Sequence, residues 1–106
     1  RVVVPMSETV NMIQKLKTYD INYFLDWGGS LIWLQIEDLN LKILKEIRDI
    51  TQKHSGYFTI IKIEEDLKAS ADIFTIDPIK YKISEKIKKS FDPKRIFNPG
   101  KMYSGI

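Results

Sequence analysis

The tightest constraint in this chain is a glycine pair, Gly28-Gly29, set between two stretches of strongly apolar character. Ahead of it, Ile21, Tyr23, Leu25 and Trp27 recur at every second position and so share one face of an extended strand over Ile21 to Trp27. Behind it, Leu31 to Ile36 reads as a returning strand. Paired glycines supply the positive φ that a tight reversal needs, so the segment is a β-hairpin. A hairpin with one apolar face is not stable alone and must be covered by other elements.

The flanking sequence supplies that cover on both sides. Val2-Val3-Val4 is a β-branched run ended by Pro5, consistent with a first strand. Ser7 is then a good N-cap, and Val10, Ile13 and Leu16, with Met12 and Tyr19, repeat at helical spacing to about Thr18. After the hairpin, Asp38 or Asn40 can cap a second helix whose Leu44, Ile47 and Ile50, flanked by Leu41 and Ile43, form an apolar stripe. Lys42 and Glu46, or Asp49 and Lys53, are spaced to pair on its outer side, and Ser55-Gly56 ends it. Tyr57 to Ile63 reads as a fourth strand. The fold class is therefore α+β, a ferredoxin-like βαββαβ sandwich over residues 1–63, with two helices on one face of a four-stranded antiparallel sheet. At 106 residues the chain makes a single domain.

Residues 77–106 lie outside that core, beyond an acidic connector over Glu64 to Ile76. Asp77-Pro78 is a strong helix start, and Ile79, Ile83, Ile87 and Phe91 follow at every fourth position. The tail FDPKRIFNPGKMYSGI has turn formers at Asp92-Pro93 and Asn98-Pro99-Gly100, which forbid a continuing helix. Phe91, Ile96, Phe97, Met102 and Tyr103 give it more apolar surface than a disordered terminus carries. Two helices already cover the sheet, so part of that surface is expected to await a partner or to associate with another copy of the chain.

The wording Phe91-Asp92-Pro93 … Ile96-Phe97-Asn98-Pro99-Gly100-Lys101 resembles the C-terminal signature of FAD-linked oxidases of the vanillyl-alcohol oxidase type. Asp26-Trp27-Gly28-Gly29, with Trp33-Leu34 downstream, is similar to a pattern in the branch formed by the FAD-binding E-type subunits of bacterial glycolate oxidase. The resemblance implies a C-terminal, cap-type domain of a longer protein, whose final helix returns the chain to an N-terminal FAD-binding domain. It implies FAD in the full-length parent and not in this fragment alone, with Asn98, Gly100 and Lys101 beside the flavin. Partners implied are that N-terminal domain and other glycolate oxidase subunits, and the parent would oxidise a 2-hydroxy acid such as glycolate. The valines directly after Arg1, with neither initiator Met nor leader, carry the same expectation of a piece of a longer protein.

Chemistry within the chain itself is sparse. Without cysteine there is no disulfide, thiolate catalyst or Cys-ligated metal. His54 is the single histidine and is expected to face solvent at a helix C-terminus; Glu64-Glu65-Asp66 reads as a solvated turn, so no metal site and no catalytic residue is assigned. Trp27 and Trp33 are placed to pair across the hairpin. Net charge is only +3, and Lys80, Lys82, Lys86, Lys88 and Lys89 read as a solvated helix face, so nucleic acid is not an expected partner. No apolar run approaches the roughly 20 residues of a membrane span. The expected location is the cytoplasm, with membrane association of the parent complex left open. The rival reading is a stand-alone ferredoxin-like module that binds a small regulatory ligand. An RNA-recognition domain would need aromatics in a set pattern on its third strand, which Ser30 to Gln35 lacks.

Overall fold

Strands β1 (Val2–Val3), β2 (Ile21–Asp26), β3 (Leu31–Ile36) and β4 (Tyr57–Phe58) form one antiparallel sheet in the order β2-β3-β1-β4. The structure is a computed structural model and describes residues 1–101, Tyr103 and Ile106. Met102, read above as part of the apolar tail, lies outside the described residues, as do Ser104 and Gly105. Helices α1 (Thr9–Leu16) and α2 (Leu41–Lys53) connect β1 to β2 and β3 to β4, so the strand order is that of the ferredoxin-like βαββαβ fold. Register fixes the faces: Val2 lies opposite Ile32 on one side and Phe58 on the other. These three, with Val4, meet Met12, Ile13 and Leu16 of α1 and Leu44 and Ile47 of α2 in one buried cluster. Ile47 has no exposed surface, so its burial alone is worth about 1.5–3 kcal/mol.

Local rules explain where the elements start, and several expectations change there. Asn40, not Asp38, caps α2, its Oδ1 accepting the Ile43 N–H at 2.9 Å. Ser7 caps nothing, because a 3-10 turn over Met6–Glu8 precedes α1 and carries it past the helix start. The buried stripe of α1 is Thr9, Met12, Ile13 and Leu16; Val10, about 100° away around the helix, is exposed. On α2, Glu46 takes the Tyr19 hydroxyl at 2.7 Å instead of Lys42, and this hydrogen bond raises the Tyr19 pKa above its ordinary value.

The hairpin closes over four residues: a 3-10 turn at Trp27–Gly29 followed by Ser30. Trp27 adopts φ 52° in that turn and points into solvent, so Trp27 and Trp33 do not pair. Strand register instead sets Phe24 opposite Trp33, and their rings stack with centroids 5.9 Å apart.

The end of α2 divides its labour in an unexpected way. Gly56 N–H bonds Thr51 C=O at 2.8 Å and Ser55 N–H bonds Gln52 C=O at 3.0 Å, the pair that defines a Schellman stop. The left-handed position is Ser55, at φ 55°, although glycine is the usual occupant. Gly56 is required one residue later for close approach: a Cβ there would lie 2.5 Å from a Val4 methyl and 2.9 Å from the Val3 carbonyl oxygen.

The fourth strand is shorter than its sequence suggests. After Phe58 only Thr59 keeps a ladder position, bonding Arg1 on one side and bridging Phe74 on the other. Beyond it Ile61 and Lys62 bend, since β1 offers no further partner on that line. The connector folds back so that residues 73–75 run along the outer edge of β4, with Ile60 N–H to Ile73 C=O at 2.8 Å and Thr75 N–H to Phe58 C=O at 3.0 Å. Its acidic start forms the single exposed turn α3 (Glu65–Lys68).

Candidate functional site

Helix α4 (Pro78–Phe91) begins where the sequence indicates: the Asp77 carboxylate accepts the N–H groups of Ile79 and Lys80, each at 2.9 Å, and Pro78 occupies the first turn. It buries none of its residues. Ile79, Ile83, Ile87 and Phe91 are 53–85% exposed, so a four-residue apolar repeat that would normally face a core faces solvent instead. Lys80 ties the first turn to the sheet, its ammonium 3.2 Å from the Tyr57 hydroxyl and 5.0 Å from that ring's centre. The radius of gyration, 15.2 Å, exceeds the roughly 13 Å of a compact chain of this size, and the projecting α4 and tail account for the excess.

A single buried carboxylate shapes the tail. Asp92 follows the last helical residue, and its two oxygens accept the N–H groups of Ile96 and Phe97, each at 2.9 Å. Lys88, one turn back, lies 2.8 Å from the same carboxylate and also donates to the Phe97 carbonyl. The Lys88 hydrogen bond, with the two backbone donors, holds the Asp92 carboxyl at about 2, well below the usual range. An acid at a helix C-terminus opposes the helix dipole, and here Lys88 offsets it. Arg95, at φ 50°, closes the first turn by donating its N–H to the Asp92 carbonyl at 3.0 Å. Sequence reading saw Asp92 only as a turn former; the signal for its larger role is a lysine four residues ahead of a buried Asp-Pro.

The second turn carries the three residues singled out from the sequence. Asn98 is at φ 46° and Gly100 at φ 68°, and the Lys101 N–H bonds the Asn98 carbonyl at 3.3 Å. The structure therefore brings Asn98, Gly100 and Lys101 together at one exposed corner. A Cβ added at Gly100 would meet nothing within 4 Å among the described residues, and glycine suits the positive φ here. Ile96 and Phe97, just before the corner, are 67% and 68% exposed. Tyr103 turns back to pack against Phe74 and Tyr81, at ring distances of 5.9 and 6.2 Å.

His54 does not face solvent as the sequence suggested. It is 8% exposed because the end of α2 docks against the start of α1, and its Nδ1 lies 2.6 Å from the Glu8 carboxylate. Its buried Nε2 has no hydrogen-bond partner among the described residues. The pair joins the end of α2 to the turn that leads into α1. Among the described residues no three His, Cys, Asp or Glu side chains gather as a metal site, and no helix is long and apolar enough to cross a membrane.

The molecule is thus a ferredoxin-like core that carries an exposed amphipathic helix and an exposed polar corner toward its C-terminal end. Residues 74–102 match the family model for the C-terminal domain of FAD linked oxidases, a match that spans α4 and both tail turns and stops short of the sheet. It supports reading this end of the chain as FAD-linked oxidase C-terminal sequence. No curated protein and no solved structure matches the chain.

Proposed function

We propose that the chain is the C-terminal, cap-type domain of an FAD-linked oxidoreductase, in which α4 and the tail dock against an N-terminal FAD-binding domain of the same protein. The observation that carries this is a coincidence of position: the family match covers α4 and the tail, where Ile79, Ile83, Ile87, Phe91, Ile96 and Phe97 are all more than half exposed. The finer reading is a subunit like the E-type subunit of glycolate oxidase, acting with other subunits of that complex on a 2-hydroxy acid such as glycolate. The Trp27-Gly28-Gly29 and Trp33-Leu34 wording supports it.

Fit to a flavin is a matter of donors and room at the corner. Asn98 and Lys101 are exposed, and among the described residues no atom lies within 4 Å of a Cβ built at Gly100, which leaves that side open to a planar ring. Asn98 would hydrogen-bond the ring's polar edge. Lys101 would set a positive charge near it, which favours an anionic reduced ring. FAD, when bound, supplies the acceptor for the hydride equivalent leaving the substrate's α-carbon. This chain's share is to bind, orient and hold charge, and no catalytic residue is assigned to it.

Replacing Asn98, at φ 46°, with Gly, which removes the side-chain amide and accepts that backbone conformation, in the full-length protein tests the reading. Loss of one hydrogen bond is expected to weaken flavin binding, or shift its redox equilibrium, by about 1 kcal/mol, with the melting temperature of the 106-residue chain unchanged. If flavin affinity and potential stay fixed while the isolated chain melts earlier, the corner is an internal brace and the proposal fails.

A further inference from the structure

A groove of about 780 Å³ opens at one end of the sheet, between Trp33–Glu37 on the β3 side and Thr59–Ile63 on the β4 side, with Leu39 and Leu67 among its lining. It lies on the line of β1, which sits between those two strands and reaches only as far as Arg1. Ladder parity shows what faces it. Val4 N–H bonds Ser30 C=O at 2.9 Å, so Ser30 and every second residue after it, Ile32, Leu34 and Ile36, direct their main-chain groups toward β1. Across the gap, Thr59 N–H bonds Arg1 C=O at 2.8 Å and the Arg1 ammonium bonds Thr59 C=O at 2.9 Å, while Ile60 bonds outward to Ile73. Thr59 therefore faces the β1 line. Among the described residues, Leu34 and Ile36 have no main-chain partner on that side.

We propose that this groove receives an extended segment that continues β1 antiparallel to β3, and that its occupant is the polypeptide joined to Arg1 in the longer protein of the preceding subsection, on which this inference rests. The register then follows. The residue directly before Arg1 lies opposite Leu34, the one before it opposite Gln35, and the third opposite Ile36. The first and third share the helix-covered face with Val2 and Ile32 and are apolar; the second lies on the other face and tolerates a polar side chain. Three residues span about 10 Å of strand. The bonding of Arg1 agrees with this: its nitrogen already occupies the site a peptide N–H would fill, donating to Thr59. As an ammonium it is poorly solvated there, and that desolvation, with the nearby guanidinium of the same residue, lowers its pKa to about 6.

The test appends Val-Thr-Val before Arg1, compares it with Val-Thr-Pro, and reads amide hydrogen exchange of Leu34 and Ile36 without flavin. The expected result is at least tenfold slower exchange of these amides with Val-Thr-Val. The gain should be lost with proline, which removes the N–H that would bond Leu34. Equal exchange in both extended chains overturns the proposal. So does protection already present without any extension that vanishes on dilution, because a second copy then fills the groove. No flavin enters the assay, so a negative result counts against the groove's occupant and leaves the Asn98 test to judge the flavin reading.

Discussion

Phe91 is the most revealing single residue for the docking of α4. It is 85% exposed, so of the roughly 1.5–3 kcal/mol that full burial of such a side chain is worth, only about 0.3 kcal/mol is realised within the chain. Phe and Ser have similar helix propensities, so Phe91→Ser adds little penalty of its own. The melting temperature of the isolated chain should fall by no more than about 2 °C. Against a separately expressed FAD-binding domain of an FAD-linked oxidase, the same change should remove about 2 kcal/mol of binding, near thirtyfold in Kd. Titration calorimetry on the two purified domains reads that ratio directly. Unchanged affinity would refute the reasoning, and so would a drop of more than about 5 °C in the isolated chain, which would mean that Phe91 is already packed.

The tail turn should respond to acid. Because the folded-state pKa of Asp92 is depressed from 3.8 to about 2, its contribution is full above pH 3.8 and is lost as pH falls through about 2. The amide resonances of Ile96 and Phe97 should report that midpoint; a midpoint near 4 would show that the Lys88 contact does not persist. At the end of α2, Ser55→Gly should stabilise the chain by about 1 kcal/mol by relieving a left-handed serine. Gly56→Ala should cost about 1–3 kcal/mol by driving a methyl into Val4 and the Val3 carbonyl. Urea melts of both variants check the pair, and like signs would contradict the assignment.

The parts of the fold that the sequence displayed are those governed by period and caps. The pairing of the two hairpin strands, the Leu44 and Ile47 stripe, and the Asp77-Pro78 helix start all depend on neighbours within a few residues, and all formed as read. What stayed hidden depends on distant contacts. His54 became buried only because α2 ends against Glu8, 46 residues away in sequence. Tyr57 to Ile63 has strand-forming side chains throughout, yet strand length is set by what the neighbouring strand offers, and that lies beyond local propensity. Trp33 chose Phe24 because a 3-10 turn, and not a two-residue one, set the hairpin loop. At the candidate site, the sequence marked the corner residues Asn98, Gly100 and Lys101 but not Asp92, whose role appears only once three donors converge on it.

The separation between the sheet and α4 also bears on how the sequence can vary. Phe91 and Ile79, 85% and 72% exposed, lie outside the buried cluster of Val2, Ile32 and Ile47, so substitutions in the two groups should combine additively. The outer stripe of α4 can then be exchanged almost independently of the core, one side chain at a time, without a compensating change beneath it. A domain organised this way can alter which surface it recognises while its thermodynamic stability stays nearly constant.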